Sequence, residues 1–133
     1  MKSEKTKLLI VDDSALIQKL LKGAIERMAG NGFSSDIKIM QAINCYEARH
    51  LYKCAHPEVV ILDISLPDGS GLNLLDEFRS DTGNTPPATI FVLSNHASPE
   101  IRNRCLSAGA NEFFDKADIH GFLNFLTQKI KSN

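Results

Sequence analysis

The chain has 133 residues, 43% hydrophobic and 23% charged, a composition that fits one folded domain and excludes global disorder. Fifteen Lys and Arg against sixteen Asp and Glu give a formal charge of -1, so no basic surplus is available for phosphates and direct nucleic-acid binding is not expected. No apolar run approaches the ~18–20 residues of a membrane span, Met1 to Lys7 does not read as a secretory signal, and Cys45, Cys54 and Cys105 form no CxxC pair; the expectation is a cytoplasmic chain with reduced thiols and no membrane contact.

Leu8-Leu9-Ile10-Val11 is a short apolar run ending at Asp12-Asp13, the pattern of a strand covered on both faces. From Ser14 the period changes: Ile17, Leu20, Leu21, Ala24, Ile25 and Met28 recur at three- and four-residue steps, which predicts an amphipathic helix stopped at Gly30-Asn31-Gly32. Asp36 to Gln41 reads as a weaker strand. Asn44 and Glu47 have capping-box spacing ahead of a helix faced by Ala48, Leu51, Tyr52 and Ala55.

Val59-Val60-Ile61-Leu62 is another buried strand ending at an acid, Asp63, and Leu72, Leu75 and Phe78 mark the next helix. Asp81 to Pro87 is a turn-rich connection within the domain. Thr89 to Leu93 is a strand ending at Ser94. Ser98-Pro99 supplies an N-cap and a first helical residue, Ile101, Cys105 and Ala108 face inward, and Gly109 stops that helix. Glu112 to Asp115 is a short strand, and Ile119, Phe122, Leu123, Leu126 and Ile130 form a last amphipathic helix. Five strands alternating with five helices predict an α/β, doubly wound parallel sheet in three layers.

Polar residues collect where strands end: Asp12 and Asp13 after the first, Asp63 after the third, Ser94 at the fourth and Lys116 after the fifth. Open α/β sheets bind ligands outside the carboxyl ends of their strands. With strand order 2-1-3-4-5, three carboxylates meet at one edge and require a counter-charge, for which a divalent cation and a lysine are the natural candidates. A carboxylate at such a site can be the nucleophile in phosphoryl transfer, which points to an Mg²⁺-assisted (or Mn²⁺-assisted) aspartyl phosphate on Asp63.

Val11-Asp12-Asp13-Ser14, Asp63 to Gly71, Leu93-Ser94 and Gly109 to Lys116 together resemble the receiver domain of two-component response regulators, over about residues 7–131. The resemblance implies a flavodoxin-like fold, a single receiver domain over 1–133, and phosphoryl transfer from a sensor histidine kinase or histidine phosphotransfer protein. It places Asp63 as phosphoacceptor, Asp13 and Asp63 as direct metal carboxylates with the Ser65 backbone carbonyl, and Asp12 as the acid holding metal through water. Ser94 stands at the switch hydroxyl, Lys116 at the phosphate-binding lysine and Phe113 at the switch aromatic, with Phe114 read as the core member of the pair.

Two positions depart from the family pattern: Ala117 replaces the usual proline after the lysine, and Asn95 replaces a small residue after the hydroxyl. A haloacid-dehalogenase-type phosphatase would also use a strand-end aspartate, but it needs a carboxylate two residues later, where this chain has Ser65. The chain is therefore expected not to be an enzyme beyond its own phosphorylation and dephosphorylation. Seventeen residues follow Lys116 and the last helix uses nearly all of them, so output is expected in trans, to a downstream protein or a missing domain, through the face of the fourth helix, fifth strand and fifth helix.

Overall fold

The apolar runs form the strands expected of them. In a computed structural model, described over residues 6–30, 37–83 and 86–132, with side chains followed to Met28 in the first helix and to Lys129 in the last, the elements are β1 (Thr6–Val11), α1 (Ala15–Gly30), β2 (Ile37–Ala42), α2 (Cys45–Ala55), β3 (Val59–Leu62), β4 (Ser65–Leu66), β5 (Gly69–Ser70), α3 (Gly71–Ser80), β6 (Thr89–Ser94), α4 (Pro99–Ser107), β7 (Glu112–Asp115), a 3₁₀ turn (Lys116–Asp118) and α5 (Ile119–Ser132). The expected helix stop at Asn31-Gly32, Asp36 at the start of the second strand and the side chain of Ile130 lie outside the described residues.

The five long strands pair in parallel in the order β2-β1-β3-β6-β7. Renumbered without the short ribbon, this is the expected order 2-1-3-4-5. The antiparallel ribbon β4–β5, with Ser65 opposite Ser70 and Leu66 opposite Gly69, has no counterpart in the periodicity, because two-residue strands are shorter than any hydrophobic repeat.

Alternation along each strand divides the core in two. Leu9, Val11, Val60, Leu62, Ile90, Val92 and Phe113 pack with Tyr52, Leu74, Leu75, Phe78 and Cys105 on the α2–α3–α4 side. Leu8, Ile10, Ile61, Phe91 and Leu93 pack with Leu21, Ile25, Phe122 and Leu126 on the α1–α5 side. Because helices cover both faces, the expected division of labour between Phe113 and Phe114 is corrected. Phe113 is the more buried, at 6% exposure, and Phe114 is half-buried against Phe122 and Phe125. Leu20 is only half-buried, at the margin of the α1 stripe.

Helix termini follow their caps. Asn44 accepts from the Glu47 N–H at 2.8 Å, but Glu47 reaches back to the Ile43 N–H rather than closing the box on Asn44. Ser98 caps α4 through the Ile101 N–H, with Pro99 in the first helical turn. Gly109 stands at φ 112 after α4, in the left-handed region that glycine adopts without strain. Arg79, at the end of α3, donates to the carbonyls of Gly109 (2.8 Å) and Ala88 (2.6 Å) and to Asn111 Oδ1 (2.7 Å), tying α3 to the strands beyond it.

Phe122 is fully buried and meets Phe91 and Phe114 edge to face. Truncation there leaves a cavity and removes both contacts, so Phe122→Ala should cost about 3–5 kcal/mol of unfolding free energy, measured by urea denaturation.

Candidate functional site

Parallel pairing brings the carboxyl ends of β1, β3, β6 and β7 to one edge. Asp12 follows β1 and Asp63 follows β3; their amides extend the ladder, Asp12 N–H donating to the Ala42 carbonyl and Asp63 N–H to the Val11 carbonyl. The two residues are 2% and 5% exposed, whereas the neighbouring Asp13 faces solvent. One oxygen from each of Asp12, Asp13 and Asp63 lies within 4.8 Å of the others.

The two buried carboxylates are held alike. Asp12 Oδ1 accepts the Ser14 N–H at 2.8 Å, and Asp63 Oδ1 accepts the Ser65 N–H at 3.1 Å. Both Oδ2 atoms meet Lys116 Nζ at 2.9 Å. Lys116, arriving from the far side of the sheet on the turn after β7, thus supplies the counter-charge that the sequence required, and its side chain is only 7% exposed.

Burial raises the Asp12 carboxyl above its ordinary value of 3.8, and the hydrogen bonds from Lys116 and Ser14 only partly offset this. Burial would lower Lys116, but its hydrogen bonds with Asp12 and Asp63 outweigh it and hold the ammonium above 10.5. Lys116 therefore stays charged at neutral pH.

Ser94, the last residue of β6, is fully buried. Its Oγ accepts the His96 N–H at 2.9 Å and lies 3.4 Å from the His96 carbonyl, so the hydroxyl engages its own loop. His96 and Asn95 are exposed. Phe113 lies in the α2–α3–α4 core, and Arg102 of α4 donates to its carbonyl at 3.4 Å. Ala117 donates its N–H to Asp115 Oδ1 at 2.9 Å, closing the turn that carries Lys116; a proline there has no N–H to give.

Three supports were not read from the sequence. Gln18 Nε2 lies within 3.2 Å of the carbonyls of Ile10, Asp12 and Ala42, and Gln18 Oε1 accepts from Gln41 Nε2, so a buried amide pins the ends of β1 and β2. Its signal was a polar residue on the stripe of Leu21 and Ile25. Gly71 donates to the Ile64 carbonyl, and a Cβ at that position would overlap the Asp63 carbonyl and Ile64 Cα, so α3 can start this close to the phosphoacceptor candidate only with glycine. Asp68 accepts from the first two amides of α2; no local pattern announces that contact.

The family model for the response regulator receiver domain matches residues 8–122. The chain belongs to this family. It is 31% identical over 123 residues to the regulatory protein AtoC of Escherichia coli (strain K12), an alignment covering 92% of this chain and 24% of AtoC. It spans less than half the length of the curated relatives it matches, for example 45% of the virulence transcriptional regulatory protein PhoP of Shigella flexneri.

Among solved structures, the signal receiver domain of a DNA binding response regulator protein from Colwellia psychrerythraea 34H superposes with a TM-score of 0.81 at 19% identity, covering 94% of this chain and 98% of that one. A Burkholderia pseudomallei response regulator solved with a phosphorylated aspartic acid, calcium ion and citrate gives 0.71 at 24% identity, covering 96% of this chain and 71% of that one. The receiver fold is therefore shown, as a five-stranded parallel sheet with five helices. The acidic cluster suits a divalent cation, which favours carboxylate oxygen. Among the described residues, no helix is long and apolar enough to cross a membrane.

The raised Asp12 carboxyl fixes a sign. The folded chain keeps that proton to higher pH than the unfolded chain, so the group stabilises most below 3.8 and loses its contribution as pH rises through the raised value. In metal-free buffer, the stability of wild type relative to Asp12→Asn should therefore fall as pH rises from 3.8 through the raised value, read by urea denaturation at each pH. Lys116 adds no slope there, since its contribution is lost only above 10.5.

Proposed function

We propose that this chain is a phosphorylation-activated switch, a single receiver domain over 1–133 that takes a phosphoryl group onto Asp63 from a phosphohistidine on a sensor kinase or phosphotransfer protein. The observation that carries the reading is Lys116 Nζ held 2.9 Å from both Asp12 and Asp63. A lysine bridging a nucleophile candidate and a second buried acid is poised to turn its ammonium to an incoming phosphoryl oxygen.

The chemistry requires one bond made and one broken. An Asp63 carboxylate oxygen bonds to phosphorus, the P–N bond of the donor breaks, and its electron pair stays on the imidazole. Lys116 offers positive charge to the transferring group, and Asp63 keeps its orientation through the Ser65 N–H. The Ser94 hydroxyl, at the neighbouring strand end, would leave the His96 backbone to donate to the acyl phosphate. Asp12, Asp13, Asp63 and the Ser65 carbonyl would hold Mg²⁺ or Mn²⁺, which when bound supplies charge neutralisation between carboxylates and phosphoryl oxygens. The Burkholderia pseudomallei protein, with its phosphorylated aspartic acid and calcium ion, supports the same pairing of chemistry.

Leu16, Ile43 and Tyr46, 70%, 50% and 74% exposed, follow or begin elements at the carboxyl edge of the sheet, where Asp63 lies. They supply an apolar rim on which a donor protein could seat. Output would leave by the face of α4, β7 and α5, because Ser94 and Phe113 sit at the two ends of the segment containing α4 and a coupled change in both acts first on that helix. The chain itself would neither bind nucleic acid nor catalyse turnover of a separate substrate, and it would work in the cytoplasm.

Incubation with a small acyl phosphate and Mg²⁺ should add one phosphoryl group by mass spectrometry, with no gain in Asp63→Asn or in the presence of chelator. A gain that persists in either case overturns the assignment. Backbone amide shifts on adding a phosphoryl mimic with Mg²⁺ should extend from the site into residues 99–126; changes confined to α1 and α2 would redirect the output face.

A further inference from the structure

The first amides of α2 are divided between two acceptors. The Glu47 N–H goes to the helix's own cap, Asn44 Oδ1, at 2.8 Å. The Cys45 and Tyr46 N–H groups go instead to Asp68, at 2.7 Å to Oδ1 and 3.1 Å to Oδ2, across more than twenty residues of chain. Tyr46 and Asp68 are exposed, so water could serve the Tyr46 amide, but Cys45 is buried and its amide depends on Asp68. What a carboxylate from another element adds is a tether.

The element it tethers follows the phosphoacceptor candidate directly. Asp68 lies in the turn between Leu66 and Gly69, whose pairing continues to Ser65 opposite Ser70. Ser65 in turn donates to Asp63 Oδ1, and Gly71 donates to the Ile64 carbonyl. These last two bonds are internal to the segment between β3 and α3. The Asp68 bonds join this segment to α2.

The fit is close as well as polar, since a Cβ on Gly69 would stand 3.3 Å from Cys45 Sγ. The Cys45 and Tyr46 amides also hold the Asp68 carboxyl below its usual range.

We propose that Asp68 is a positioning residue of the metal and phosphoryl site: by clamping the ribbon to the N-terminus of α2, it fixes the Ser65 carbonyl relative to Asp63. The proposal rests on the reading of Asp12, Asp13, Asp63 and Ser65 as the cation site. The side chain touches neither cation nor phosphoryl group and acts through the ribbon. Its removal lets the Ser65 carbonyl drift while all three carboxylates stay in place.

The test is Mg²⁺ affinity by titration calorimetry on the full chain, with thermal melting alongside. Asp68→Ala should weaken Mg²⁺ about tenfold, the size expected when the support of a metal ligand is lost. Asp68→Asn, which keeps one acceptor oxygen, should recover part of that loss, and it decides the matter alone if Asp68→Ala does not fold. Asn44→Ala removes the cap that α2 supplies to itself; it should lower the melting temperature yet leave Mg²⁺ affinity within about twofold of wild type.

Asp68 variants that bind Mg²⁺ as wild type does overturn the proposal, as does an Asn44→Ala loss equal to that of Asp68→Ala, which would trace the effect to α2 stability. Wild type that takes up no Mg²⁺ overturns the cation site itself, and with it this role for Asp68.

Discussion

One ammonium group organises the functional edge of this protein. Lys116 comes from the turn after the outermost strand and ends between Asp12 and Asp63, which follow strands on the other side of β6. Two buried carboxylates of like charge repel each other and lose hydration on burial, and without a cation the sheet edge would favour their protonation. The lysine removes that conflict by pairing with both, and it couples β7 to β1 across two intervening strands. The arrangement is also a store of competing charge: anything cationic that takes over the carboxylates frees the lysine, and anything anionic on Asp63 draws it.

The rest of the scaffold keeps the ends of those strands still. Parallel ladders set the strand ends in register, and a core on each face fixes the sheet against its helices. Beyond the apolar packing, three polar pegs work at specific places. Gln18 holds the ends of β1 and β2, Arg79 holds α3 against the Ala88 and Gly109 carbonyls, and Asp68 holds the ribbon after Asp63 to α2. Each satisfies backbone groups that regular structure leaves open at element ends. Stability and site geometry therefore share residues, and the loops at the carboxyl edge inherit the rigidity of the sheet.

Ser94 and Phe113 give the switch reading its physical content. Ser94 is buried and bonded to its own loop, and Phe113 is packed in the α2–α3–α4 core beneath α4. Neither is a free side chain, so movement of the hydroxyl toward Asp63 must release the His96 backbone, and movement of the ring must disturb the packing under α4. Packed elements of this kind have discrete alternatives rather than continuous give, which is what a two-state signal needs.

The sequence by itself determined the five long strands and the five α-helices, because apolar runs and three-to-four-residue stripes each have one favourable burial. It also marked Asp12, Asp13, Asp63 and Lys116, which the fold gathers at one edge of the sheet, because they punctuate strand ends in an order that turn chemistry does not explain. The capping of α2 by Asn44 and of α4 by Ser98 was legible for the same reason: the donor and acceptor lie three residues apart. Contacts made at long range were decided by tertiary structure alone. That Lys116 reaches two carboxylates at once, that Asp68 caps a helix more than twenty residues away and that Phe113 lies deeper than Phe114 all depend on which faces the folded sheet brings together. Local periodicity has no access to such pairings, because they are set by the crossing of elements in space and not by spacing along the chain.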